Sequence, residues 1–297
     1  MSIDTQCDTA APDTGARTTA ADEGVLRTVL RNRVAVAALA VLVVLVLVSV
    51  VAALAPWRDP LAQALRERLQ GPSPRHPLGS DELGRDQLVR LAGAAGVSLG
   101  AALVATVVGL VCGLPLGLLA GFTGGRLDGV VSRAFDALQS IPPLIFAIAV
   151  VAVLGRDLIP AMVAIGVVFS PTFFRVTRAA TMSVARETYI EASRSMGGRT
   201  PRILAGHVLG NVGSAVIVQI STTLAFGILA EAALSFLGLG VQPPRASLGS
   251  MLTQAANLLN TAPQLAVEPG LVIVVLVLAI TLVSDAFRDA TAGEGRW

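Results

Sequence analysis

The sequence predicts an all-α integral membrane protein with six transmembrane helices and both termini on the cytoplasmic side. Three observations lead there. Of 297 residues, 54% are hydrophobic and 14% charged, whereas soluble domains hold roughly 45–50% apolar and about 25% charged residues. Six uncharged stretches approach the roughly 20 apolar residues needed to cross about 30 Å of hydrocarbon; they are 34–57, 91–125, 137–155, 158–174, 208–230 and 269–284. The last reaches crossing length by taking in 265–267 behind Glu268, or Asp285 at its end. With the N-terminus inside, 14 of the 22 arginines lie on the cytoplasmic side; the other 8 are Arg58, Arg66, Arg68, Arg75, Arg85, Arg90, Arg156 and Arg245. That excess sets the orientation.

Composition also excludes several chemistries. Every basic residue is arginine, so the chain cannot carry the Gly-Lys-Ser/Thr of a phosphate-binding P-loop. A Schiff-base lysine is excluded for the same reason. Two histidines (His76, His207) and two cysteines (Cys7, Cys112) cannot build a His/Cys metal site without carboxylate help. Nor do two distant cysteines make a disulfide framework. A net charge of +2 leaves no nucleic-acid footprint. No catalytic residue and no metal ligand is therefore assigned.

Along the chain, residues 1–33 form a cytoplasmic tail whose first 23 positions, rich in Thr, Ala and Asp, read as disordered. The first span, 34–56, could instead be a secretory signal cleaved after Ala53-Leu54-Ala55. Its apolar run, however, exceeds the usual 7–15 residues. Residues 57–92 form an external loop in which arginines alternate with Asp59, Glu67, Asp81, Glu82 and Asp86. That mixture reads as a folded loop, either seating an external protein or capping the mouth of the bundle. Residues 93–288 hold the other five spans, and 289–297 a cytoplasmic tail.

Span two carries Gly109, Gly113, Gly117 and Gly121 at four-residue spacing. They share one helix face, where absent side chains let another backbone approach. The face is either a static seam or a sliding contact. Pro115 on the same helix is expected to bend it. Span three opens with Ile141-Pro142-Pro143 and span four contains Ser170-Pro171; such breaks are hinges or kinks. Glu231, late in span five, is costly in a membrane and faces either a structural partner or the translocation path. Residues 246–267 are uncharged but too polar for lipid, and read as a folded external segment.

Between spans four and five lies the longest internal loop, at about 175–210. Within it, 186–196 reads as a short amphipathic helix, with Tyr189, Ala192 or Ser193, and Met196 on its apolar face. Gly197-Gly198 stops that helix, and Thr200-Pro201 restarts another with threonine as its cap. The polar face holds both acids and bases. That points to docking on a protein, since a lipid-surface helix carries mainly bases.

At this loop, Glu191-Ala192-Ser193-Arg194-Ser195-Met196-Gly197, followed by His207-Val208-Leu209, resembles the EAA loop of ABC-importer permeases. The family pattern is Glu-Ala-Ala, three residues, Gly, then nine residues to Ile-x-Leu-Pro; here Ser193, His207 and Gly210 depart from it. Three further segments resemble the dipeptide/oligopeptide/nickel subfamily and its second permease subunit. They are His76-Pro77-Leu78-Gly79-Ser80-Asp81-Glu82-Leu83-Gly84-Arg85-Asp86, Leu234-Ser235-Phe236-Leu237-Gly238-Leu239-Gly240-Val241-Gln242-Pro243-Pro244, and Asp285-Ala286-Phe287-Arg288-Asp289-Ala290.

The resemblance implies a type I permease fold and a non-catalytic subunit in the cell membrane. It implies a second permease, two cytoplasmic ATPases (or one fused) that bind ATP and Mg, and an external substrate-binding protein. Tyr189, Glu191, Ala192, Arg194, Met196 and Gly197 then belong to the element that couples to the ATPase, and Gly197 is expected in a left-handed corner. The substrate is a dipeptide, an oligopeptide, glutathione or nickel; two histidines and five methionines favour peptide. A free-standing secondary transporter would place several ionisable groups inside its spans, and a membrane anchor or receptor would need no glycine seam or docking loop.

Overall fold

The computed structural model describes residues 29–54 and 59–294, with side chains to 291. The N-terminal tail before residue 29, Cys7, Trp57 and Arg58 lie outside the described residues. The first helix, α1 (Arg33–Leu54), turns Ala35, Ala38, Ser49 and Ala52 inward. Val34, Val44 and Leu47 face out, each 57% exposed. Small residues inside and branched ones outside suit a helix whose solvent is lipid.

A connecting segment then leads to α2 (Gln87–Thr123), whose 37 residues run through Pro115 without a break. At 1.5 Å per residue it is about 55 Å long, well beyond a hydrocarbon core of about 30 Å. The segment before it is folded by its own charges. Asp81 accepts the Leu83 and Arg85 N–H groups at 2.9 Å and pairs with Arg85 Nε at 2.6 Å. His76 bridges Asp86 (Nδ1, 3.1 Å) and Glu67 (Nε2, 3.0 Å). Asp86 in turn caps α2 by accepting from Leu88 N and Val89 N.

After Gly124 come α3 (Gly125–Gln139), α4 (Pro143–Leu154) and α5 (Leu158–Val184). Two of the expected spans differ in the structure. Span three is not one helix: α3 and α4 meet at the Pro142-Pro143 break with a bend of 81°. With 12 residues, α4 alone is about 18 Å long, too short to cross. Among the described residues five helices are each long and apolar enough to span, and the bent α3–α4 pair can make a sixth span. Span four does not end at Phe174, because α5 continues through Arg175 and Arg178 to Val184. Those charges are answered by α3: Arg175 Nη2 donates to Asp136 at 2.7 Å, and Arg178 grips Asp128 with two nitrogens.

The glycine face of α2 is packed against α5, the most extensive helix contact in the bundle. A methyl on Gly113 would lie 2.7 Å from Phe173 Cβ and 2.8 Å from Phe174 N. On Gly117 it would meet Phe174 O at 2.8 Å, and on Gly121 Arg178 O at 2.7 Å. Gly109 faces Gly166 O and the Phe173 ring. The approach is reciprocal, since a methyl on Gly166 would sit 2.6 Å from Ala105 O.

The short α6 (Thr188–Ser195) leads to α7 (Thr200–Phe236), which passes through a π-helical turn at Leu204–Val208. The expected threonine cap is not seen: Arg199 occupies the N-cap position and Thr200 is already helical. Residues 246–267, expected as one folded segment, divide: the first part packs on the bundle and 264–267 already belong to the last helix. In that first part α8 (Leu248–Ala256) buries Leu248, Met251 and Ala255 among α2, α7 and α9 (Gln264–Glu294).

Candidate functional site

At the far end of α2 from the His76 knot, α6 is held in place from several sides. Ile190 is fully buried among Ile203, Val208 and Val212 of α7, with Leu118 and Phe122 of α2 packed beside it. One turn on, the Arg194 guanidinium lies 3.9 Å from the centre of the Phe122 ring, and its Nη2 donates to Phe122 O at 3.3 Å. A cation over an aromatic face adds about 0.5–1 kcal/mol at an exposed site.

The corner after α6 is closed by glycine. Gly197 has φ +81°, a conformation that L side chains avoid. Gly198 N donates to Ser193 O and Gly197 N to Arg194 O, both at 3.0 Å. These are the two bonds of a Schellman closure, which satisfy carbonyls the helix end would otherwise leave bare.

Tyr189, Glu191, Ala192, Arg194, Met196 and Gly197 are all exposed. Tyr189 (45% exposed) and Met196 (82%) of the expected apolar face point outward, and Ile190, which that pattern left out, points into the bundle. The outer ridge of α6 is thus apolar and uncovered, on a helix whose other side is locked. Asn211 Nδ2 donates to the Tyr189 hydroxyl at 3.2 Å. Partial burial and the nearby Glu187 charge push the Tyr189 phenol above its usual range, so it stays neutral. Where Gly210 stands in place of the family's proline, α7 continues as unbroken helix.

Near the opposite end, Glu231 is fully buried. Its Oε1 accepts from Ser235 Oγ at 2.6 Å, and Ser235 Oγ accepts from Ser247 Oγ at 3.1 Å. Ser247 also caps α8 in a reciprocal pair with Ser250. Leu248 N then donates to Ser98 Oγ at 3.0 Å, which ties α8 to α2. The geometry therefore joins Glu231 to the segment that folds back after α7. Beside the Pro142-Pro143 break, a cavity of about 400 Å³ is lined by Gln139 and Pro143, Thr172 of α5, and Gln219 and Thr222 of α7.

Residues 113–292 match the family model described as the binding-protein-dependent transport system inner membrane component. Residues 23–72 match the N-terminal transmembrane domain of oligopeptide transport permease C. A dipeptide transport system permease of Alkalihalophilus pseudofirmus is 37% identical over 225 residues, 75% of this chain and 73% of that one. The chain belongs to the ABC importer permeases. A glutathione transport permease of Pectobacterium atrosepticum is 40% identical over 221 residues, covering 74% of this permease and 73% of its relative. A di/tripeptide transport permease of Pseudomonas aeruginosa is 40% identical over 222 residues, with 75% and 73% covered. A chain of the MetNI methionine ABC transporter, in inward-facing form, shares the fold with a TM-score of 0.54. It is 24% identical over 66% of this permease and 92% of that chain.

The permease is thus a multi-pass inner-membrane transport subunit of an importer. Sequence reasoning passed over Ile190, Phe122 and Ser247. Ile190 fell between Tyr189 and Glu191 with no periodic partner in so short a helix. The signal for Ser247 was available: Ser247 is followed three residues later by Ser250 and borders the apolar Leu248, Met251 and Leu252. Ser247→Ala removes the cap and the link to Ser235. It is expected to cost about 1 kcal/mol and to lower the thermal midpoint by about 2–4 °C. Tryptic cleavage after the exposed Arg245 should quicken. An unchanged midpoint and cleavage rate would show that Ser247 holds nothing.

Proposed function

We propose that this permease, paired with a second permease, forms the path by which peptides delivered by an external binding protein cross the membrane. The observation that carries the reading is α6. An apolar ridge of Tyr189, Ala192 and Met196 is left open on a helix whose inner face is anchored by Ile190 and Arg194. A helix fixed on one side and bare on the other suits docking into a protein groove. The occupant is a cytoplasmic ATPase, one for each permease or a fused pair, and the α6 end of the bundle faces the cytoplasm. ATP and Mg are held there, since a chain without lysine has no P-loop of its own. Closure of the ATPases moves α6, and the spans attached to it follow as a body.

Peptide as the substrate class is supported by the relatives, whose names specify dipeptides, di/tripeptides and glutathione, itself a tripeptide. The test is purification from the native cells followed by reconstitution. An ATPase and a second permease should co-purify. Labelled dipeptide should enter proteoliposomes only with ATP and the binding protein. Absence of both partners, together with uptake indifferent to ATP, would refute the assignment.

A further inference from the structure

We propose that the groove between α1 and α2 holds a membrane phospholipid with an anionic headgroup. The groove measures about 810 Å³ and is walled by Val46 and Val50 of α1 and by Val97 and Leu103 of α2. Its depth comes from missing side chains. A methyl on Gly93 or Gly100 would meet nothing within 4 Å, while at Gly96 the helices touch, a methyl there lying 3.1 Å from Ser49 Cβ.

One rim of the groove is polar and carries Arg156, Asp157, Gln242 and Arg245. Both arginines are exposed, and neither makes an ion pair among the described residues. Two guanidinium groups against one carboxylate leave the rim positive. A second hollow of about 310 Å³ continues past Gly93 and Arg245 toward Pro60 and Leu61.

Water is a poor occupant. Each molecule takes about 30 Å³ and needs 2–4 polar partners, which walls of valine, leucine and glycine do not offer. Acyl chains, in contrast, are the medium that already surrounds α1. An apolar slot with a cationic rim fits one kind of molecule, a chain lying over the glycines with its phosphate on the arginine pair. The planar guanidinium fork binds phosphate oxygens two at a time.

The intact importer, purified with its partner subunits, is reconstituted in nanodiscs of equal phosphatidylglycerol and phosphatidylcholine. It is then re-extracted in mild detergent, and retained lipid is counted by mass spectrometry. Wild type should hold phosphatidylglycerol over phosphatidylcholine by about fivefold or more, the preference expected from a cationic pair at a membrane surface. Arg156→Gln combined with Arg245→Gln should abolish that preference, and Gly100→Leu should lower the total retained. The arginine pair is exposed, so its variant remains informative even where Gly100→Leu fails to assemble. Wild-type headgroup preference in the arginine variant overturns the proposal. So does a photo-crosslinking residue at position 97 that captures a protein subunit instead of lipid.

Discussion

A Gly197→Val permease is expected to insert and assemble with its partners in normal amount, yet to lose peptide uptake and uptake-coupled ATP hydrolysis by about tenfold or more. The cause is conformational. Nothing lies within 4 Å of a methyl at this position, so no clash occurs. The backbone instead sits at φ +81°, where an ordinary L residue costs about 1–2 kcal/mol and a β-branched one more. If the corner relaxes, the 3.0 Å bonds from Gly197 N and Gly198 N are lost and the last turn of α6 unwinds. That turn holds Arg194 against Phe122 and presents Met196. Gly197→Asn, which tolerates the left-handed region, should keep most of the uptake. Near-normal uptake in the valine variant, measured in proteoliposomes, would show that the corner does not matter.

A Gly113→Ala substitution should act through the opposite mechanism, by crowding. The new methyl would stand 2.7 Å from Phe173 Cβ and 2.8 Å from Phe174 N. Neither is the free end of a flexible chain, so α2 and α5 must separate along the seam. Overpacking of this kind costs about 1–3 kcal/mol. Gly129→Ala on α3 is the matched control: nothing lies within 4 Å of it, and alanine there should gain about 1 kcal/mol of helix propensity. Thermal unfolding in detergent should move the two midpoints in opposite directions. Equal midpoints would mean that the glycine face of α2 is not a tight seam.

Much of this fold could be read from the chain because membrane helices are written locally. Apolar runs, the glycine line of α2 and the Gly197-Gly198 stop each depend on residues close in sequence; the glycine line lies against α5 and Gly197 closes its corner at φ +81°. What escaped depended on distant partners. The cut at Phe174 followed from treating Arg175 and Arg178 as loop residues, and only α3, folded back beside α5, supplies Asp136 and Asp128 to neutralise them. The same holds for α6. In eight residues the helical period is sampled barely twice, so the pattern does not choose between Ile190 and the Tyr189–Met196 ridge. Burial under Phe122 and Val212 decides it. Glu231 was legible as an unusual charge, but its tie to α8 was not, because Ser247 reaches it across a turn through Ser235.

The π turn at Leu204–Val208 lies near the start of α7, between the corner after α6 and the long apolar run of α7. A π turn holds one residue more than an α turn, and one residue corresponds to about 100° of rotation about the helix axis. The surplus is slack in an otherwise stiff rod. Shifting it up or down the helix exchanges one hydrogen bond for another while turning the side chains it passes. A tug on α6 can therefore reach the rest of α7 as a twist as well as a push, with Leu204–Val208 serving as the joint that has play.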